Sequence, residues 1–342
     1  MTPVFTLPRD AEATRPPEWR GLRRDEVRLM TVRPGGVAHG RFADLPELLE
    51  PGDLVVVNTS ATLPGRLDAR RADGRTVPLH VSTTLDDGSW VVEVRRPDNR
   101  GPDLGAEPGT ELALPGGVRL RLLDAHPHPG TPSRLWRART DPAVALTAYL
   151  PRHGRPITYG YVAGGFPLEA YQNVYATDPG SAEMASAGRP FTAGLLTRLL
   201  SRGVPVVPVV LHTGVSSPEL HEPPYPERFS VPEVTARLVR STRAAGHRVV
   251  AVGTTVTRAL ETATGDDGAT HPAAGWTDLV LGPDRPARVV TGLVTGLHAP
   301  EASHLRLLEA VAGPALVARA YEAAVAEHYL WHEFGDSMLF LP

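Results

Sequence analysis

The sequence predicts an α/β protein: a large barrel-like α/β domain with a small antiparallel β-barrel domain inserted. Three observations predict it. Short apolar, β-branched runs stop abruptly at polar residues, and at least two pass directly into helical patterns. Over residues 66–152 the pattern changes to brief alternating runs separated by turn-rich stretches. At 342 residues the chain can bury a core in each part.

In chain order, the first run is DLVVVNTS, apolar over 54–57 and ending at Asn58. Residues 66–152 follow, with RTVPLHVSTT, GSWVVEVRRP, TELALPGGVRLRLLD and SRLWRART set apart by DDG, DNRGPD, PGG and PHPGTP. Regularly spaced short strands with such turns suggest a small barrel or sandwich. DPAVALTAYLPRHG then reads as a helix leading back out. VPVVPVVLHTG runs over 204–211 and stops at His212. HRVVAVGTTVTRALETA is apolar to Val252, turns at Gly253, Thr254 and Thr255, and continues as a helix. RVVTGLVTGLHAPE stops at His298. Pro300 suits the first turn of a helix, where its missing N–H costs nothing. Glu301 there complements the helix dipole. Leu305, Leu308 and Val311 recur behind at helical spacing. The continuous apolar runs indicate buried strands in a mostly parallel sheet. The expected division is residues 1–65 plus 153–342 as the α/β domain, with 66–152 as the insertion.

Composition excludes several chemistries. There is no cysteine, hence no disulfide, thiolate zinc site or cysteine nucleophile. No apolar run approaches the roughly 20 residues that span a bilayer. MTPVFTLPRDAEATRPPEWR lacks the apolar core of a secretory signal, so a cytoplasmic location is expected. The formal net charge is −3, whereas dedicated nucleic-acid binders carry a basic excess. Any nucleic-acid contact must therefore use a local patch. RGLRRDEVR, with Arg20, Arg23, Arg24 and Arg28, is a candidate, and its interspersed acids also describe an ordinary solvated face.

In α/β folds, sites form just beyond the carboxyl ends of strands, where loops converge on a rigid frame. His212 and His298 stand at two such ends, and a pair so placed points toward catalysis more than one buried histidine would. Neither has the close carboxylate or histidine spacing of a metal motif, so no metal is expected. Gly253, Thr254 and Thr255 offer a helix start with two hydroxyls, fit for an anion or a ribose, or simply an N-cap. YQNVYATDPGSAEMASAGRPFT presents Tyr171, Gln172 and Tyr175, then small residues including Ser186 and Gly188 that let a ligand approach the backbone. Asp336 follows a glycine before a terminal apolar run, where turn chemistry explains it as well as function does. Tyr159 and Tyr161 suit packing or stacking on a base.

The segments HGRFADLPELLEPGDLVVVN, LPGRL, YQNVYATDPGSA, AGRPFTAGLL, VVLHTG, VVAVGTTVTRALETA, GLHAPEASHLRLLEAVAG, AYEAAVAEHY and FGDSML, in this order, resemble one family. It is the S-adenosylmethionine:tRNA ribosyltransferase-isomerase family of queuosine biosynthesis. The resemblance implies an α/β barrel-like domain with an inserted β-barrel. It implies transfer of the ribosyl part of S-adenosylmethionine onto a 7-aminomethyl-7-deazaguanine base in tRNA, with rearrangement to an epoxycyclopentane and loss of adenine and methionine. S-adenosylmethionine is then a substrate, with no metal or second cofactor. The implied catalytic residues are His298, His212 and Asp336, with one histidine as the base that removes an acidic C5′ proton beside the sulfonium. Thr254, Thr255 and Arg258 would hold the ribose or carboxylate, and Tyr171 and Gln172 the base-recognition side. Asn58, Arg66, Tyr175, Ser186, Gly188, Glu227 and Glu301 complete the implied substrate-binding set. A monomer or weak dimer is expected.

The chain departs from the family pattern at several polar positions. Ala61 stands where an arginine is expected, Pro190 and Tyr225 where histidines are, and Gly296 where an asparagine is; RPITYGYV replaces the usual P-L-P-P-Y-I run. Losing an arginine removes a bidentate anion clamp. The sulfonium half of the implied site is better kept than the acceptor half. The alternative is therefore a paralogue that uses S-adenosylmethionine on a non-tRNA small-molecule acceptor in secondary metabolism.

Overall fold

The computed structural model describes residues 5–8, 10–131, 133–215, 224–300 and 302–342. The first strands are β1 (Arg28–Arg33), β2 (Gly36–Arg41), β3 (Leu54–Asn58) and β4 (Ser60–Thr62). Six more follow: β5 (Arg66–Arg70), β6 (Thr76–Thr84), β7 (Trp90–Val94), β8 (Glu111–Ala113), β9 (Arg119–Ala125) and β10 (Leu135–Asp141). The rest are β11 (Asp178–Ser181), β12 (Val206–Leu211), β13 (Glu227–Val231), β14 (Val249–Val252), β15 (Ala273–Thr277), β16 (Gly292–Gly296) and β17 (Ser337–Phe340). The helices are α1 (Leu45–Leu48), α2 (Leu146–His153), α3 (Ala193–Ser201), α4 (Glu233–Ala244), α5 (Thr254–Thr262), α6 (Ser303–Ala312) and α7 (Pro314–Ala326).

Nine strands form one sheet in the order β15-β13-β12-β3-β14-β16-β17-β1-β2. Its centre, β12-β3-β14-β16, is wholly parallel, while β13, β15 and β2 pair antiparallel and β16 runs against β17. The apolar runs have a direct cause. Leu54 and Val56 of β3 pack into one core with α4, α5, α6 and α7, while Val55 and Val57 pack into a second with α1 and α3. Val249 and Ala251 of β14 divide from Val250 and Val252 in the same way. Both faces are covered, so no polar alternation is left to see. Each fully buried Val or Leu adds roughly 1.5–3 kcal/mol of burial free energy.

The α/β class of the sequence reading stands, but the large sheet is open, with β15 and β2 as its edges, not a ring. The hairpin strand β2 ends it: most of that strand is exposed and carries His39 and Arg41, which suit a solvated edge. The closed barrel is the smaller one, β10-β7-β6-β5-β8-β9. Its interior holds Leu67, Leu79, Val81, Val92, Leu120 and Leu122, with Leu146, Tyr149 and Leu150 of α2 packed onto it. The short parallel pair β4–β11 lies between barrel and sheet in the chain and brings Ser60 and Ser181 together.

The arginine-rich segment is neutralised locally. Arg23 pairs with Asp25 and Glu26, Arg24 with Glu18, and Arg28 with Glu327. The segment is charge-balanced and only partly solvated: Arg23 is exposed, while Arg20 and Arg24 are part-buried and donate to the carbonyls of Phe334 and Gln172.

Candidate functional site

Because β12, β3, β14 and β16 are parallel neighbours, their carboxyl ends lie along one edge of the sheet. A cleft of about 380 Å³ opens there, faced on the other side by barrel residues Val91, His126 and Arg134. His212, His298, Thr254, Thr255, Glu227, Arg258, Tyr171 and Ser186 all line it.

His298 follows β16 and is fixed by its surroundings. Its backbone N–H donates to the Tyr321 hydroxyl at 3.0 Å, and its carbonyl accepts from Trp331 Nε1 at 3.1 Å. Its Nε2 lies 3.1 Å from Thr295 Oγ1, and its ring stacks on His304. Burial holds the His298 imidazole well below its ordinary pKa, and the charges that His304 and His332 would carry push the same way. The imidazole is neutral at pH 7.

His212 follows β12. Its Nδ1 is 2.7 Å from Ser60 Oγ, and Ser60 Oγ is 2.6 Å from Ser181 Oγ. Ser181 Oγ accepts from the backbone N–H of Thr213 at 3.0 Å. Only one arrangement gives both buried serine hydroxyls an acceptor: Ser181 donates to Ser60, and Ser60 donates to His212 Nδ1. That pattern places the imidazole hydrogen on Nε2. Burial, opposed by Asp178 and assisted by Arg228, lowers the His212 pKa, so this ring is also neutral at pH 7.

Gly253 takes φ +95° to turn β14 into α5, and it presents Thr254 and Thr255 at the helix start. Gly253, Thr254 and Thr255 all line the cleft, so the helix start with its unpaired N–H groups borders it. Thr255 Oγ1 accepts from Asn58 Nδ2 at 3.3 Å. Glu227 accepts the Gly214 N–H at 2.9 Å and is ion-paired with Arg258. Arg258 also donates to the carbonyls of Leu279, Thr277 and Tyr225. The arginine expected to hold a carboxylate therefore spends its donors bracing Glu227 and the loops around it.

Other expected residues sit behind the cleft. Asn58 cross-braces strands, donating to the Leu211 carbonyl and accepting from the Leu211 and Ser60 N–H groups. Gln172 clamps the backbone of Thr62 through both ends of its amide, at 2.9 and 2.7 Å, which occupies the groups expected to read a base. Tyr175 packs on Phe191, and Gly188 is buried where a side chain would strike the Tyr175 hydroxyl. Arg66 bridges to the backbone of Arg155 and lies near Asp68. Asp336 does not line the cleft. Its carboxylate accepts the N–H groups of Arg28 and Leu330 at 2.9 and 2.8 Å and is pushed up by burial. Glu301 lies outside the described residues.

Several residues in or behind the cleft have partners that the sequence did not reveal. Ser60 and Ser181 lie behind the cleft on the short strands β4 and β11; Ser181 stood out only as one of the loop's small residues, and Ser60 had no pattern to mark it. Tyr159 donates to Glu183 and Tyr161 to Glu333, and Tyr161 stacks on His332 at 4.2 Å. Arg134 enters from the barrel, paired with Glu93, whose other oxygen holds Arg95 at 2.6 Å. Arg189 does not supply the arginine missing at Ala61: it is buried and donates to Ala170 and Glu18. Among the described residues no group of three His, Cys, Asp or Glu is placed to hold a metal ion, and no helix is long and apolar enough to cross a membrane.

A cleft at the carboxyl edge of a parallel sheet, carrying two neutral imidazoles and faced by an inserted β-barrel, defines an α/β protein with an enclosed ligand site. The chain belongs to the queuosine biosynthesis protein family, whose model matches residues 3–340. It is 37% identical over 334 residues to the S-adenosylmethionine:tRNA ribosyltransferase-isomerase of Thermus thermophilus, covering 93% of each chain. It is 34% identical to the protein of that name from Thermotoga maritima, covering 98% of each. The crystal structure of the Thermotoga maritima S-adenosylmethionine tRNA ribosyltransferase superposes with a TM-score of 0.55 at 31% identity, covering 98% of this chain and 99% of that one.

Proposed function

We propose that this chain is an S-adenosylmethionine-dependent ribosyltransferase-isomerase acting on a 7-aminomethyl-7-deazaguanine base in tRNA, releasing adenine and methionine. The observation that carries this reading is the pair of neutral strand-end imidazoles with opposite hydrogen-bond polarity in one cleft. The relatives' names all specify tRNA, and the small-molecule alternative gains nothing from them.

His298 serves as the base. Thr295 Oγ1 lies 3.2 Å from the Gly296 carbonyl and donates to it, so His298 Nε2 carries its hydrogen toward Thr295. Nδ1 then keeps a lone pair, and it has no hydrogen-bond partner among the described residues. That lone pair takes the C5′ proton, whose bonding electrons stay on the carbon beside the sulfonium. His212 is oriented by Ser60 and Ser181 to present Nε2–H. It donates to the departing adenine, which takes the glycosidic electron pair. The acceptor's amine nitrogen bonds to the ribosyl carbon and gives up a proton, and methionine leaves with the electrons of the C–S bond as a ribose oxygen closes the epoxide. Thr254 and Thr255 face the ribose oxygens from the start of α5. Asn58, Gln172, Arg258, Glu227 and Asp336 hold the cleft in shape.

This reading includes a division into residues 1–65 plus 153–342 and an inserted 66–152, a monomer or weak dimer, and a cytoplasmic location where S-adenosylmethionine and tRNA meet. The test is mass spectrometry of the protein with S-adenosylmethionine, with and without tRNA carrying the aminomethyl-deazaguanine base. Adenine and methionine release that depends on the tRNA, with a matching mass gain on the base, is the expected result. Binding of S-adenosylmethionine without release would overturn it in favour of another acceptor.

A further inference from the structure

One wall of the cleft is built from side chains that the mechanism does not use. Tyr161 donates to Glu333 Oε2 at 2.5 Å, and Tyr159 donates to Glu183. The two tyrosine rings lie 6.2 Å apart and nearly parallel, so the two tyrosine–carboxylate pairs are neighbours. Both tyrosines come from RPITYGYV, the segment that replaces the family's proline-rich run. The second oxygen of Glu333, Oε1, makes no hydrogen bond among the described residues. Glu333 is also presented by a strained turn: His332 before it takes φ +71°, and its ring is stacked on Tyr161. Non-glycine residues held in this region concentrate where function over-determines the backbone.

A separate observation marks the same place as unfinished. Tyr171 is only 4% exposed and lines the cleft, and its hydroxyl is buried with no hydrogen-bond partner. The Tyr171 ring packs at 5.3 Å on that of Phe334, the residue after Glu333, and Tyr171 and Glu333 both line the cleft. A buried hydroxyl without a partner is costly to leave that way, and a ligand group beside Glu333 would satisfy it.

We propose that Glu333, with Tyr161 and Tyr171, forms a recognition site for an organic cation in the cleft. Two groups in the proposed reaction carry that chemistry, the sulfonium of S-adenosylmethionine and the ammonium of the acceptor's aminomethyl arm. The site rests on the proposed function for its choice of ligands, but binding tests it without turnover.

The experiment compares affinities by calorimetry for wild type, Glu333→Gln and Tyr171→Phe. One arm sets S-adenosylmethionine against its neutral thioether, S-adenosylhomocysteine. The other sets 7-aminomethyl-7-deazaguanine against its neutral hydroxymethyl analogue. Wild type is expected to prefer one cation over its neutral partner by about tenfold, and Glu333→Gln to abolish that preference. The arm that collapses names the cation. Tyr171→Phe removes an unpaired hydroxyl, so it is expected to fold as wild type does and to lose part of the same preference. If both variants keep both preferences unchanged, the proposal is overturned. If the site behaves as expected while wild type fails to modify tRNA, the reaction reading falls and the cation site stands.

Discussion

The imidazoles of His298 and His304 stack face to face, with ring centroids 4.6 Å apart and planes 4° apart. Two cations cannot share that stack, and burial opposes charging either one. His304 is lowered to about 4, by burial first and by the nearby Arg258 charge second. A histidine whose folded pKa lies below its unfolded value of 6.5 favours folding in its neutral form. That contribution is full above pH 6.5 and is lost as pH falls toward 4. The denaturation midpoint of wild type is therefore expected to fall through this window, and His304→Gln to flatten the fall. Urea titrations at several pH values check this. An identical slope in both proteins would remove the stack from the account.

His298→Ala is expected to bind S-adenosylmethionine and to lose turnover by a factor of about 10²–10⁴, as removal of a general base does. Adenine release followed beside calorimetric binding separates the two effects. A fully active variant would eliminate His298 as the base.

Gly253→Ala should damage both fold and binding. The position has φ +95°, and an added Cβ would meet the Ala187 Cβ at 3.3 Å. A non-glycine residue in this region costs on the order of 1–3 kcal/mol. The strain falls on the turn that presents Thr254 and Thr255. A lowered denaturation midpoint with weakened S-adenosylmethionine binding is expected, and unchanged binding would detach the α5 start from the ligand.

Much of the frame was legible in the sequence because burial left a mark. The runs ending at Asn58, His212, Val252 and His298 were continuous because both sheet faces are covered, and the insertion alternated because its barrel has a wet outer face. Stopping points of strands pointed to His212, His298, Thr254 and Thr255, and these four line one cleft. What the sequence could not show is where a polar side chain spends its hydrogen bonds. Gln172, Arg258 and Asp336 have the right chemistry for a ligand, but each is consumed by backbone groups distant in the chain. The partnerships of Tyr161 with Glu333 and of Ser60 with Ser181 span 172 and 121 residues. No local pattern encodes them. The open large sheet was missed for a related reason, since closure is decided by how the edge strands pair and not by any one strand's composition.

Arg258 and Glu227 form a nearly buried ion pair, with side chains 6% and 16% exposed. Burial raises the Glu227 pKa, while Arg258 and the Gly214 N–H oppose it. Removing one partner leaves an uncompensated charge, so Arg258→Met should destabilise the protein by about 3–5 kcal/mol. The double variant Arg258→Met, Glu227→Gln should recover part of that loss. A double-mutant cycle by chemical denaturation measures it, and additive effects would refute the coupling.

Ser60 tests the division of labour between the histidines. Its hydroxyl is the link that turns the Thr213–Ser181 chain into a fixed tautomer of His212. Ser60→Ala leaves His212 Nδ1 without its donor, so the proton can move to Nδ1 and the Nε2–H that faces the departing adenine is no longer held. Substrate contacts are untouched, because Ser60 is buried and does not line the cleft. The expected outcome is a fall in kcat of about tenfold or more with KM nearly constant, the signature of an interaction made only in the transition state. Ser60→Thr keeps the hydroxyl and should restore much of the rate. Ser181→Ala removes the donor to Ser60 but not the Ser60 hydroxyl, so its loss should be smaller. A steady-state comparison of the three variants decides the matter. Should Ser60→Ala raise KM with kcat unchanged, His212 would be a binding residue and the hydrogen-bond donor to the departing adenine would have to be sought elsewhere in the cleft.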